Sequence, residues 1–394
     1  MTPSTPKDIR FADRFEGITG SAIREIFKLI AKPDMISFAG GNPAASALEN
    51  ERIAELAQHV LLRDGKRILQ YGGTEGWPEL REACVPWLRA MGVEARAEDI
   101  LPVTGSTQTV DLACKAMINP GDVILVENPS FLGALQTMRL YQARLEPIPT
   151  DEDGVIPEAL EEAILRHKPR LIYLIPNFQN PTGVTLARER RPRIAALAAK
   201  YGVVLMEDDP YRDLRYLGEA LPTIKSFDED GWVIYMGSFS KLISPGMRVA
   251  AVTAHPTILR KLVIGKQSTD LHVDQLAQAI VAEYLNRGWL PGHMRDICQS
   301  YKAQLLRMLE GLDGLGIEHT RPEGGLFVWA RLPEGMNALR LLDKAVERRV
   351  AFVPGTHFYC DGGRENTLRL NFSNSPLDKI DQGIMALGKA IASL

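Results

Sequence analysis

Stretches in which apolar residues recur at helical spacing alternate along this chain with short continuous apolar runs. That alternation is the strongest signal the sequence carries. Over residues 21–29 the positions Ile23, Ile26, Phe27 and, just beyond, Ile30 share one helical face, with Ser21 placed to cap it and Arg24 on another face. A short strand over 35–39 opens into Gly40-Gly41-Asn42-Pro43, and helices are predicted over 49–63 and from Trp77-Pro78 onward. Strands then fall at 101–103, 123–127, 171–175, 203–206 and 232–236, the last ending at Gly237, with helical patterns between them. Strand and helix in regular turn predict an α/β chain with a parallel sheet. Later come helical patterns over 256–266, 273–286 and 292–312, a strand after Gly324-Gly325, a helix over 338–348, and a run over 366–372 that alternates like the edge of a small sheet.

Composition narrows the function. At 394 residues and 45% hydrophobic content the chain is long enough for two domains, with a boundary expected near 288–292. The net charge of −3 is spread without a basic face or polybasic tract, so neither nucleic acid nor membrane is an expected partner. The first ten residues lack the apolar core of a signal peptide and no apolar run reaches bilayer length, which predicts a cytoplasmic protein. Four cysteines and seven histidines lie scattered, without the spacing of a metal site or disulfide framework.

The chemistry concentrates after the 232–236 strand, in Ser238-Phe239-Ser240-Lys241-Leu242-Ile243-Ser244-Pro245-Gly246-Met247-Arg248. A lone lysine at a strand end commonly snorkels to water. Here two serine hydroxyls and an arginine beyond a Pro-Gly turn would hold a phosphate beside an amine able to form a Schiff base, the requirements of pyridoxal phosphate. The pattern Ser-x-Ser-Lys-x-x-x-Pro-Gly-x-Arg is similar to the signature of class I/II aminotransferases, the fold-type-I group of pyridoxal-phosphate enzymes. Its motifs most resemble the 2-aminoadipate, kynurenine and aromatic aminotransferases.

The resemblance implies a role for each further motif. Gly105-Ser106-Thr107-Gln108, at a helix start, resembles the phosphate cup, where free N–H groups and the helix dipole suit an anion. Phe131 stands where relatives stack an aromatic ring on the cofactor, although a core phenylalanine reads equally well from the sequence. Asn180, in Asn177-Phe178-Gln179-Asn180-Pro181-Thr182-Gly183, and Tyr211 are the expected partners of the cofactor's phenolic oxygen. Asp208, at the Asp-x-x-Tyr spacing, is expected on the pyridine nitrogen. Tyr71 resembles the tyrosine that reaches the partner subunit's phosphate in a homodimer with shared sites. Arg369, in Thr-Leu-Arg-Leu-Asn-Phe, resembles the clamp on the substrate α-carboxylate. Gly41 is expected near that carboxylate, and Arg24 near the second carboxylate of an acceptor such as 2-oxoglutarate.

The fold implied is a large domain over 48–288, with a mainly parallel seven-stranded sheet, and a smaller α/β domain built from 1–47 and 289–394. The activity implied is amino transfer between an α-amino acid and a 2-oxo acid, with Lys241 as the Schiff-base lysine. A β-eliminating lyase on the same fold is the alternative. A non-catalytic sensor of the kind fused to DNA-binding domains is more remote, since few residues precede the first helix.

Overall fold

The computed structural model describes residues 9–16, 18 and 34–394. The helix expected over 21–29, and Arg24 with it, lies outside the described residues. Seven strands form the main sheet: β1 Ile100–Val103, β2 Val123–Glu127, β3 Arg144–Ile148, β4 Leu171–Leu174, β5 Val204–Asp209, β6 Val233–Ser238 and β7 Ala250–Thr253. Their order is β1-β7-β6-β5-β4-β2-β3. All neighbours are parallel except β7, which runs antiparallel to both β1 and β6. Crossovers through helices explain why the parallel strands read as near-continuous apolar runs, since both faces are covered. Alternate residues of β4 and β5 enter different cores. Tyr173 and Met206 join the larger core cluster, while Ile172, Leu174 and Leu205 join the one formed with Leu160, Ile194 and Ala198 of the helices Pro157–His167 and Arg190–Tyr201.

A second sheet takes Glu318–His319, Phe327–Arg331, Thr367–Asn371 and Val353–Pro354 in that spatial order, all antiparallel. Thr367–Asn371 is therefore an inner, fully buried strand, not the edge that its alternation predicts. Alternation marks an edge only when its polar members meet water. Here Arg369 and Asn371 turn inward and find partners there, Arg369 on Asn180 and Asn371 on Ser373 and the Asn374 N–H.

Helix limits shift from the expected ones for local reasons. The first described α-helix runs Asn50–Ile68, beyond 63, and closes with Lys66 and Arg67 in the last turn, where cations suit the dipole. Gln275–Asn286 begins after Asp274, whose side chain accepts the Ala277 N–H at 2.6 Å. The long helix runs Leu290–Gly314, starting before and ending after the expected 292–312. Among the described residues, no helix is long and apolar enough to cross a membrane.

Candidate active site

Most of the motif residues converge at one edge of the main sheet, where the parallel strands present their carboxyl ends. Phe131 follows β2, Asn180 follows β4, Asp208 is near the end of β5, and Ser238 closes β6 with Ser240 and Lys241 just beyond. Ser106 opens the helix Ser106–Met117 after β1. Because β7 is antiparallel, Ala250 at its start pairs with both Ser238 and Val103, and Arg248 arrives at the same edge. The inner strand Thr367–Asn371 supplies Arg369 from the other side. Together these residues line a cavity of about 280 Å³, with Gly41, Asn42, Thr107, Tyr211 and Phe327 among the rest of its wall. A larger cleft of about 820 Å³ opens at the amino ends of the strands, around Lys115, Lys168, Arg170 and Trp232. None of its lining residues carries a buried unpaired side-chain atom, so size and chemistry separate here.

Lys241 Nζ donates to the Gly41 carbonyl at 2.8 Å. Burial draws its ammonium down to about 8, helped by the charges of Arg248 and Arg369. A lysine so placed has a far larger neutral, nucleophilic fraction at neutral pH than one in water. Asp208 is 3% exposed, and burial lifts its carboxyl to about 6 against the pull of the Tyr173 hydroxyl, which donates to Oδ2 at 2.7 Å. The neighbouring Ser106 hydroxyl also draws the carboxyl down, yet neither Ser106 Oγ nor Asp208 Oδ1 makes a full hydrogen bond among the described residues. Arg369 donates from Nη1 to Asn180 Oδ1 at 2.8 Å and from Nη2 to the Ala39 carbonyl at 2.8 Å, leaving Nε unpaired. The guanidinium lies 4.2 Å from the centre of the Phe327 ring and 5.1 Å from that of Phe358, and burial lowers it to about 10. Asn180 Nδ2 donates to the Tyr211 hydroxyl at 3.4 Å, and burial pushes that phenol upward.

The anion-binding corner is built on backbone. Arg248 donates to Ser240 Oγ at 3.4 Å, to the Thr104 carbonyl at 3.3 Å and to the Pro245 carbonyl at 3.3 Å. Gly105, at φ +76°, lets the guanidinium pass: a Cβ there would fall on Arg248 Nη2. Ser106 Oγ is buried without a partner.

Two expected residues sit elsewhere. Gln108 turns its side chain away from the cavity, accepting the Thr104 N–H at 2.7 Å and donating to Asp270 at 2.6 Å, and so braces the turn. Tyr71 is 80% exposed and meets only the edge of His272 among aromatic rings, so its own chain does not bring it to the cavity. Two contributors were missed. Tyr173 is a lone aromatic in an aliphatic strand, and a buried phenol needs an acceptor, which was the available signal. Phe327 follows the glycine pair; Gly324 and Gly325 lack side chains where a Cβ would strike Phe178, so that strand closes on the Asn180 loop.

Three buried polar atoms on cavity residues thus lack partners among the described residues: a carboxylate oxygen, a hydroxyl and a guanidinium N–H. The unpaired carboxylate fits a ring N–H, the serine, arginine and helix-start corner fits a phosphate, and the depressed lysine fits an aldehyde. The set matches a phosphorylated pyridine aldehyde, and the fold is that of the fold-type-I transferases. The family profile "Aminotransferase class I and II" matches residues 33–387. The chain is 41% identical to aromatic-amino-acid aminotransferase 1 of Thermococcus litoralis, over 99% of this chain and 95% of that relative. It is 43% identical to the 2-aminoadipate transaminase of Thermus thermophilus, over 96% and 95%. A solved kynurenine aminotransferase of Pyrococcus horikoshii superposes with a TM-score of 0.93 at 38% identity, covering 97% of each chain. This chain belongs to the class I and II aminotransferases: it is a transaminase, and its cofactor is pyridoxal phosphate.

Proposed function

We propose that the 280 Å³ cavity is the amino-transfer site and that Lys241, Asp208 and Arg369 divide its chemistry. The observation that carries the reading is Asp208, a buried residue of the cavity wall with one oxygen bonded to Tyr173 and the other without a hydrogen bond among the described residues. When bound, the cofactor supplies an electron sink for the bond broken at the substrate α-carbon. Asp208 holds a proton on the ring nitrogen by placing a carboxylate beside it. Asn180 and Tyr211 donate to the phenolic oxygen. Thr107 through its backbone N–H, Ser106, Ser238 and Ser240 through hydroxyls, and Arg248 through its guanidinium would grip the phosphate, and Gln108 keeps the turn in shape; the Gly105 N–H is spent on the Val103 carbonyl at 2.9 Å, so Gly105 serves by leaving room for Arg248. Phe131 walls one side. Lys241 would hold the aldehyde through Nζ and is the base placed to take the α-proton of the amino acid, a role its low basicity suits. Arg369, steadied by Asn180 and the aromatic rings, clamps the α-carboxylate, and the Gly41 backbone borders it.

The donors to test first are those in the relatives' names, aromatic amino acids and 2-aminoadipate. Lys241, Arg248 and Arg369 are the cations among the cavity's described lining, and each has a task. A dicarboxylic acceptor such as 2-oxoglutarate therefore needs another cation, and Arg24 is our candidate. We further propose a cytoplasmic homodimer in which Tyr71 completes the partner's site, supported by its exposure beside the exposed Leu69 and Leu62. Residues 48–288 would form the large domain, and 1–47 with 289–394 the small one.

The deciding experiment incubates the enzyme with each donor, with and without 2-oxoglutarate or pyruvate. The expected result is one oxo acid from the donor for each amino acid formed from the acceptor. Oxo acid and ammonia released without an acceptor would instead make the site a lyase.

A further inference from the structure

Arg191 is fully buried at the second residue of the helix Arg190–Tyr201, on the face of the sheet away from the cavity. It forms no direct bond to a carboxylate. All but one of its guanidinium bonds go to the segment 176–186, the loop that carries Asn180. Nη2 donates to the Pro176 carbonyl at 3.1 Å, to Asn177 Oδ1 at 2.8 Å and to the Leu186 carbonyl at 3.0 Å. Nε reaches the same Leu186 carbonyl at 3.1 Å, and Nη1 the Pro222 carbonyl at 2.7 Å. Both ends of the loop are thus tied to one side chain. Asn177 passes the tie on, donating from Nδ2 to Asp209 Oδ1 at 2.7 Å, and Asp209 is the neighbour of Asp208 on β5.

As a stabilising device this arrangement is poor. A buried cation at the positive end of its own helix opposes the dipole, and desolvation outweighs the attraction of the nearby Glu207 and Asp209, pulling the guanidinium down to about 10. As a positioning device it is well suited, because a planar fork fixes several carbonyls in direction as well as distance. The loop is also closed within itself, by the Leu186 N–H on the Pro176 carbonyl at 2.8 Å and the Phe178 N–H on Thr185 Oγ1 at 3.2 Å, and its tip is held by Gln179 on the Pro129 carbonyl and Thr320 on the Thr182 carbonyl, both at 2.7 Å; Arg191 is the side chain that fixes this closed loop against the helix and, through Asn177, against β5.

We propose that Arg191 is a positioning residue for amino transfer: acting through Asn177 and the ends of segment 176–186, it sets where Asn180 meets Arg369 and Tyr211. The inference rests on the role given to Asn180 above. Two measurements on the holoenzyme follow from it, the KM for the amino acid, which reports the carboxylate clamp, and the pH midpoint of the cofactor's visible band, which reports the donors to its phenolic oxygen.

Arg191→Lys keeps the charge but loses the fork. It should raise KM on the order of tenfold with a smaller change in kcat, and move the midpoint upward, the direction Asn180→Ala also takes. In an Asn180→Ala background the same substitution should change KM and midpoint less than twofold and negligibly, because the residue it acts through is gone. Asn177→Ala, which leaves Arg191 in place, carries the same test should Arg191→Lys fail to fold. The proposal is overturned if either variant lowers thermal stability while leaving KM and midpoint unmoved, or if the effects persist undiminished beside Asn180→Ala. Should Asn180→Ala alone move neither quantity, the role of Asn180 fails first and the proposal with it.

Discussion

Adjacent residues of β5 meet opposite treatment at the carboxyl edge of the sheet. Glu207 and Asp209 point to the far face and are saturated: Glu207 accepts the Ile224 N–H at 2.8 Å and the Lys225 N–H at 2.7 Å, while Asp209 accepts from Asn177 at 2.7 Å and from the Tyr235 hydroxyl at 3.1 Å. Asp208, between them, points to the cavity with one oxygen bonded and one bare. The chain makes its buried carboxylates alike in type and different only in what remains to be bonded. Of these three carboxylates, the satisfied pair serves the fold, and the unsatisfied one waits for a ligand.

Substitutions of the carboxylates on the two faces should therefore separate kcat from stability. The largest effect is expected for Lys241→Ala: kcat falls by roughly three orders of magnitude or more while the protein stays folded and still takes up cofactor without a borohydride-reducible bond. Peptide mapping after reduction of the parent enzyme should find the label on Lys241, and a label on Lys266 would undo the comparison. Asp208→Asn should cost about 3 kcal/mol in the barrier, a hundredfold or so in kcat, with an unchanged urea midpoint.

The far face should answer in the opposite sense. Asp209→Leu strands the Asn177 amide and the Tyr235 hydroxyl, a loss of about 2–5 kcal/mol in unfolding free energy, read from urea denaturation followed by circular dichroism. A fall in kcat without a fall in stability would erase the distinction between faces. The titration of Lys241 sharpens it further. Only the neutral amine captures the aldehyde, and the folded value near 8 lies below the value near 10.4 of a free lysine, so the rate of cofactor capture by the cofactor-free protein should rise with pH and level off near pH 8. A rate still climbing tenfold per unit above pH 9 would mean that the amine is not desolvated. The smallest effect belongs to Gln108→Ala, which loosens the Thr104 turn without touching the cavity: cofactor affinity should weaken a few-fold, on the scale of about 1 kcal/mol for a hydrogen bond.

Local motifs were readable in the sequence because each packs its chemistry into consecutive residues at a strand end: Ser238 to Arg248, Asn177 to Gly183, Asp208 to Tyr211. The strands that carry them are continuous apolar runs, so the order of elements was readable as well. What escaped depends on register between distant strands. Tyr173 reaches Asp208 only because β4 and β5 pair Tyr173 with Met206, putting both side chains on one face. Phe327 lies under Arg369 through a pairing of strands far apart in the chain, and Arg191 looks in sequence like one more charge in the run Arg188-Glu189-Arg190-Arg191. The supposed edge strand misled for the same reason, since inward polar residues and outward ones make the same alternation.

The reversed strand β7 has a consequence for redesign. The connection 239–249 leaves the sheet at Ser238 and must return to Ala250 beside it, delivering Lys241 and Arg248 on the way. Its two functional side chains are therefore set at a fixed separation by a closed span whose ends are pinned. Inserted residues there would move the amine relative to the phosphate corner, whereas residues added at the exposed Gly362-Gly363 turn, where a Cβ meets nothing within 4 Å, would leave both alone. The chain can be lengthened, cut or rejoined at such turns, and the span around Lys241 sets the one length that an engineered descendant has to inherit.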